Sequence, residues 1–435
     1  MKMKKRLVIV LCFILLVSSS LVACGGSTEK LVSKNENSNN KKVTLKFWRA
    51  GTDISENEYW KRVMSEFEAQ HEGITIEYSE VPFGNEMETK LNAAFASGTS
   101  PDVISYSLAS VAQRAHLGQY EPLDQYLEKW EEKDDLIDNV YETGVYKDNL
   151  YGIGFIPDPR VLVWRKDMFT DAGLDPESPP QDWETLRDYS LKLTKRDGNT
   201  TTVAGFSIPT TNGWTLFQSF VLQNGGKIID AETNTPLFNS PEAIEATEFL
   251  VDLVKEGTSI PSDANKSSDN LFVNGKAAMA YDSPSAVANL QKTNPDLADK
   301  IGIAGPIARK QKATFAGMRL LFMSSQSKEK DLAFEFMTFI MAKEETWKRY
   351  KEIGAPIVYN SLKEDYIKDN PEMNSAIFEA VTYGQGAAKV TYAGKISEIL
   401  NTYIEQAYYG KKSAEQALND AAEHLLNEMP NLITD

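Results

Sequence analysis

The chain has 435 residues, with 46 Lys+Arg against 62 Asp+Glu and a formal charge of −16. That acidic balance excludes nucleic acid as a partner, since a phosphate backbone asks for basic stripes. The length exceeds one ordinary core and predicts two large lobes, and no tandem repeat runs through it.

The chain opens with "MKMKKR", which holds Lys2, Lys4, Lys5 and Arg6 and no acid, followed by the apolar run "LVIVLCFILLV" and then "SSSLVAC". A charged start, a short apolar middle and small residues before a cut predict a secretory signal over residues 1–23. The apolar run is too short for a spanning helix, which needs about 20 residues. Leu21-Val22-Ala23-Cys24 resembles the lipobox of bacterial lipoproteins, which implies a mature chain beginning at a diacylglyceryl Cys24. Two acyl chains hold a protein firmly to a membrane. Cys12 leaves with the signal, so no second thiol remains for a disulfide. Loss of the four signal-peptide cations leaves 42 basic against 62 acidic side chains, a charge of −20. Residues 24–41 are polar, rich in Ser, Asn and Lys, and predict a flexible tether.

From Lys42 onward strands and helices alternate. "KVTLKFW" places Val43, Leu45 and Phe47 on one face and predicts a strand. Ser55 and Glu58 have capping-box spacing before a helix carrying Trp60, Val63, Met64 and Phe67, ended by Gly73. "ITIEYSEV" predicts a second strand, "NEMETKLNAAFASG" a helix stopped at Gly98, and "PDVISYS" a third strand with Pro101 at its entry. "LASVAQRAHLG" closes this β-α-β-α-β order, the pattern of a mostly parallel sheet. "VLVWRKDMF" and a helix capped by Asp182 before Trp183 repeat the style. From Asp331 the pattern is mainly helical.

Five blocks in order then carry a resemblance to the family 1 extracellular solute-binding proteins, the sugar-binding lipoproteins of ABC importers. They are "VTLKFW…ITIEY", "SGTSPDVISYS…AHLGQYEPLD", "YGIGFIPDPRVLVWRKDMFTDAGLDPESPPQDWETL", "LFVNGKAAMAYDSPSAV" and "KDLAFEFMTFIMAKEETWKRY", and they span nearly all of the chain from Lys42. The resemblance implies a two-lobe, periplasmic-binding-protein-like (type II) α/β fold with parallel-rich sheets, hinge crossings and a helical C-terminus. It implies lobe 1 over residues 42–157 and 307–355, and lobe 2 over 158–306 and 356–435. It further implies a monomer that closes on a carbohydrate and delivers it to ABC permease subunits from the outer face of the cell membrane, without cofactor or metal. Gly154, "VWRK" and Asp282-Ser283-Pro284-Ser285 depart from the usual family blocks, so no relative's sugar specificity transfers.

A sugar's hydroxyls ask for charged or amide partners and its C–H faces for aromatic rings. In an open α/β sheet such groups lie at the carboxyl ends of strands. Trp48 and Asp53 end and follow the first strand, and read either as ligand contacts or as core and solvated surface. Tyr106 and Ser107 end the third strand. Asp158 and Arg160, stiffened by Pro157 and Pro159, sit where the resemblance implies the first hinge crossing, with Trp164 facing either ligand or core. Trp214 and Phe217 open a helix after "TNGW", Asp282 and Ser283 follow "AAMAY", and Gly317, Met318 and Arg319 follow the return crossing. Arg319 needs a partner, which is Asp53, Asp158 or the ligand. Against an enzyme, there is no G-x-S-x-G, Walker A loop or H-E-x-x-H, and His71, His116 and His424 do not cluster. A glycoside hydrolase, which needs only two carboxylates, is the rival class; a receptor of the same fold is the third. Within the importer class the alternative ligand is a polyol or glycerophosphodiester.

Overall fold

The computed structural model describes residues 42–262 and 270–431. The expected signal peptide, Cys24 and the tether lie outside the described residues. From Lys42 the chain forms one compact unit built on two six-stranded sheets.

In the first sheet Val43–Ala50 lies between Ile74–Val81 and Val103–Ser107, parallel to both. Thr314–Met323 then runs antiparallel to Val103–Ser107 and to Gly152–Pro159, and its start pairs parallel with Gly384–Gln385. In the second sheet Thr200–Pro209 lies between Ser259–Ser262 and Ala277–Asp282, parallel to both. Val161–Arg165 runs antiparallel to Ala277–Asp282 and to Ile301–Ala304. The parallel pairs come from strand–helix–strand crossovers, as the alternation predicts. The antiparallel pairs arise where the chain passes between the sheets.

That passage is short. Gly152–Pro159 belongs to the first sheet and Val161–Arg165 to the second, with Arg160 between them. The chain returns through residues 305–313 into Thr314–Met323. Outgoing and returning segments are stitched together: Arg160 N–H donates to Phe315 O at 2.9 Å, and Thr314 Oγ1 donates to Arg160 O at 2.8 Å. Pro157 and Pro159 cost little in hydrogen bonding, because Gly152–Pro159 pairs along one edge only, with Thr314–Met323.

Local rules explain most elements. Gly98 closes the helix Asn85–Ser97 with φ 71°, a conformation that a side chain disfavours. Asp182 caps Trp183–Leu193 by accepting from Thr185 N, with Thr185 returning the contact. The Ser55/Glu58 box does not form. A 3-10 turn, Ile54–Glu56, comes first, and Ser55 gives its N–H and hydroxyl to Asp53 at 3.0 and 2.8 Å. The helix then starts at Asn57.

The buried side chains form two clusters, and the first reaches across to Val161, Val163, Ile301 and Ile303 of the second sheet. Phe47, Trp60, Phe67, Phe155, Phe322 and Phe336 pack about the first. Trp164, Trp183, Phe206, Phe217, Leu400 and Leu418 pack about the second. Helix Pro371–Thr382 buries Ile377 and Val381 in the first cluster, whereas Ala393–Tyr408 and Ala414–Glu428 belong to the second. Among the described residues no helix is long and apolar enough to cross a membrane.

Candidate ligand-binding site

The first strand alternates, and Leu45, Phe47 and Arg49 share its buried face. Arg49 is therefore an arginine in a core position, fully buried, and its charge must be met. Its Nε donates to Tyr78 Oη at 2.6 Å, Nη1 to Glu56 Oε2 at 2.9 Å and Nη2 to Glu80 Oε1 at 2.9 Å. Glu56 also accepts from Trp60 Nε1 at 3.2 Å. Its two oxygens lie 2.9 and 3.0 Å from Arg319 Nη1 on the returning strand. Glu56 thus sits between two guanidiniums, one buried and one 27% exposed. Asp53 stands at the same rim. Burial alone would raise its pKa, but the Ser55 hydrogen bonds and the charges of Arg319 and Arg49 hold it below the usual carboxylate range.

The second group of charges lies at the crossing. In the antiparallel register Gly317 opposes Asp158 and Arg319 opposes Ile156. Alternation therefore puts Asp158, Phe315, Gly317 and Arg319 on one face of the crossing strands. Arg160 Nη1 donates to Asp158 Oδ2 at 3.0 Å and to Asp158 O at 3.2 Å. Its guanidinium carbon stands 5.7 Å from the Phe315 ring centre, and Trp214 meets that ring edge-on at 4.8 Å. Asp282, opposite Val161 in the second sheet, acts electrostatically on Arg160 together with Asp158. Burial raises the Asp282 pKa, opposed by the Ser283 N–H and by Arg160, and supported by Asp158. Gly317 leaves Asp158 its room: a Cβ there would stand 3.2 Å from Asp158 O.

Asp53, Asp158, Arg160, Trp214, Asp282, Gly317 and Arg319 thus fall at or beside the crossing strands. Ser107 opposes Arg319 in register and caps the next turn, accepting from Ala109 N at 3.2 Å. Tyr106 is nearly buried, its ring 5.2 Å from Phe83, a side chain left 54% exposed. Ser283 caps the helix Pro284–Thr293.

Other expectations need correction. Trp164 is 2% exposed, donates its indole N–H to Pro176 O at 2.9 Å and packs on Gly302, so it is a core residue. Phe217 is fully buried in the same cluster. Trp48 lies on the far face of its strand, 4.2 Å from Lys90 Nζ. Met318 is set apart from the charged group but stays a candidate ligand contact: on the other face of the crossing strands it lines a cavity of about 410 Å³ with Leu108, Pro157, Gln218 and Ala316. Arg319 takes Glu56 as its partner, a residue absent from the three candidates. Arg49, Glu56, Tyr78, Glu80, Phe83 and Phe315 were all missed. An arginine at the third buried-face position of a strand was the available signal. Among the described residues no His, Cys, Asp and Glu group could hold a metal ion.

Residues 51–347 match the profile of bacterial extracellular solute-binding proteins. The chain belongs to that family. Curated relatives include the sn-glycerol-3-phosphate-binding periplasmic protein of Escherichia coli (strain K12), 26% identical over 413 residues, covering 88% of this chain and 91% of that one. Among solved structures, an ABC transporter solute-binding protein of Thermotoga lettingae bound to alpha-D-tagatose is 27% identical, with TM-score 0.73 over 88% of this chain and 98% of that one. An ABC substrate-binding protein of Listeria monocytogenes in complex with cycloalternan is 26% identical, with TM-score 0.74 over 90% and 100%. The sugar-binding protein MalE of Xanthomonas citri, 21% identical with TM-score 0.79, shares the fold. The two-lobe, type II α/β architecture follows, and the chain is by family a bacterial extracellular solute-binding protein.

Proposed function

We propose that this chain is an extracytoplasmic lipoprotein that captures a carbohydrate, an oligosaccharide in preference to a monosaccharide, and hands it to ABC permease subunits. One observation carries this reading. The strands joining the two sheets present Asp158, Arg160 and Asp282 beside the Phe315–Trp214 pair. Paired charges serve hydroxyls and an aromatic edge serves C–H faces. The solute-binding relatives that hold tagatose and cycloalternan support a carbohydrate ligand, and the second of them an oligosaccharide. In this reading lobe 1 is built on the first sheet from residues 42–157 and 307–385, and lobe 2 on the second from residues 158–306 and 386–435. The expected boundary at residue 355 moves because helix Pro371–Thr382 packs in the first cluster and Gly384–Gln385 pairs with the first sheet. Ligand contacts to both lobes then favour the shut state. Cys24 carries the lipid that keeps the monomer at the membrane.

A second reading rests on the curated sn-glycerol-3-phosphate-binding relatives: a polyol or glycerophosphodiester in the same site. Both are tested by a thermal-shift screen of the chain against oligosaccharides, monosaccharides, polyols and glycerophosphodiesters. A ligand at 100 times its Kd adds about 2.7 kcal/mol and shifts the melt by several degrees. A hit within one glycan series supports the first reading, and a hit among the phosphodiesters the second. No shift across the panel moves the case to the hydrolase or receptor readings.

A further inference from the structure

Three guanidiniums stand at the candidate site, and each already has a carboxylate. Arg49 has Glu56 and Glu80, Arg319 has Glu56, and Arg160 has Asp158 with Asp282 nearby. With Asp53 the named carboxylates outnumber the guanidiniums. Glu56 is the most committed of them. It is nearly buried, and it bridges Arg49 and Arg319 with contacts of 2.9 to 3.0 Å. Two guanidiniums converging on one anion is the arrangement a protein builds for a phosphate or carboxylate of its ligand. Here the chain supplies that anion from its own turn, at Ile54–Glu56.

We propose that Glu56 is a specificity-determining residue: its carboxylate fills the position between Arg49 and Arg319 that an anionic ligand group would take, so the site selects uncharged ligands and rejects phosphoesters. This rests on the reading of the same site as the solute-binding site and chooses between its two ligand classes. A phosphoester entering beside Arg319 would meet Glu56 and Asp53 at short range, where like charges repel. A neutral hydroxyl meets donors and acceptors already ordered, with no charge to desolvate.

The test is a calorimetric titration of the purified chain and of Glu56→Gln with sn-glycerol 3-phosphate and with inorganic phosphate, at low ionic strength so that screening does not hide the effect. Wild type is expected to bind neither at millimolar concentration. Glu56→Gln, with a native circular-dichroism spectrum, is expected to gain roughly tenfold or more in affinity for both, since the repelling charge is gone and the partly exposed Arg319 is left without its anionic partner. Adding Arg319→Ala to that variant is expected to remove the gain. Tight binding of sn-glycerol 3-phosphate by wild type overturns the inference, and this measurement stands even if Glu56→Gln does not fold. A folded Glu56→Gln with no gain also overturns it. Either result leaves the solute-binding reading intact, because that reading fails separately, when no compound of the wider panel shifts the melt.

Discussion

Arg319 and Glu56 are 263 positions apart, yet Nη1 of the first lies 2.9 Å from Oε1 of the second. The contact ties the strand that returns from the second sheet to the turn that follows the first strand. Glu56 holds Arg49 and Trp60 Nε1 in the same grip, so the crossing is anchored to the buried end of the first sheet. Bending at Arg160 can then move the second sheet while this rim stays in place, which suits hinge closure.

Truncation of Glu56 leaves a fully buried guanidinium short of one partner. Glu56→Ala is expected to lower stability by about 3 kcal/mol, the scale for breaking a buried ion pair. Arg319→Ala is expected to cost clearly less, because its side chain is partly in solvent. Urea denaturation of both variants checks the order. A negligible loss for Glu56→Ala would show that Glu80 and Tyr78 suffice for Arg49, and equal substantial losses would show that the Arg319 contact weighs as much as the Arg49 one.

The hinge charges should matter to binding more than to folding. Asp158 is 40% exposed in its side chain and bonds Arg160 two residues on. Asp158→Ala is expected to weaken ligand binding roughly tenfold or more, as loss of a charged hydrogen-bonding group does. Its melting temperature should stay near wild type. Calorimetry with the ligand found by thermal shift decides, and unchanged affinity would remove Asp158 from the site.

Two acids respond to pH with opposite signs. The folded Asp282 pKa is raised above the ordinary carboxylate value, mainly by burial, so its contribution is fully present below the ordinary value and is lost as pH rises through the folded one. Asp282→Asn is therefore expected to gain in melting temperature relative to wild type as pH rises through the folded value, with the advantage shrinking as pH falls towards the ordinary carboxylate range. The Asp53 pKa is lowered, so its contribution is present above the ordinary value and fades as pH falls through the folded one. Asp53→Asn should therefore lose stability at neutral pH and match wild type in strong acid. Melting curves from pH 3 to 8 distinguish these signs; the same slope for both variants would contradict the assignments.

The alternation of "KVTLKFW" and "ITIEYSEV", the Asp182 cap and the Gly98 stop were legible because each rests on neighbours in sequence. Asp158, Arg160 and Asp282 were legible because they sit beside prolines or at a strand end, where local pattern and resemblance agree. Glu56 was not, since its role depends on Arg319, far along the chain, and on a 3-10 turn that displaced the expected capping box. Trp164 and Phe217 fell to the core for a related reason. A strand's period says which residues share a face, but not which face meets solvent. Gly302, whose missing side chain admits the Trp164 ring, lies on another strand.

That distinction separates the tryptophans by experiment. Trp214 is partly exposed and edge-on to Phe315 beside Arg160, whereas Trp164 is enclosed against Gly302 with its N–H satisfied by Pro176 O. Trp164→Ala is expected to cost about 3–5 kcal/mol of stability, the range for emptying a buried aromatic site. Where the variant remains folded, its ligand affinity should change little. Trp214→Ala is expected to keep a near-native melt and to lose several-fold in affinity, as an aromatic contact worth about 1 kcal/mol implies. Denaturation and calorimetry on the same preparations give both numbers. If Trp164→Ala weakened binding without destabilising the fold, the ligand would have to be placed in the second sheet's core layer, and the assignment of the crossing face would fall with it.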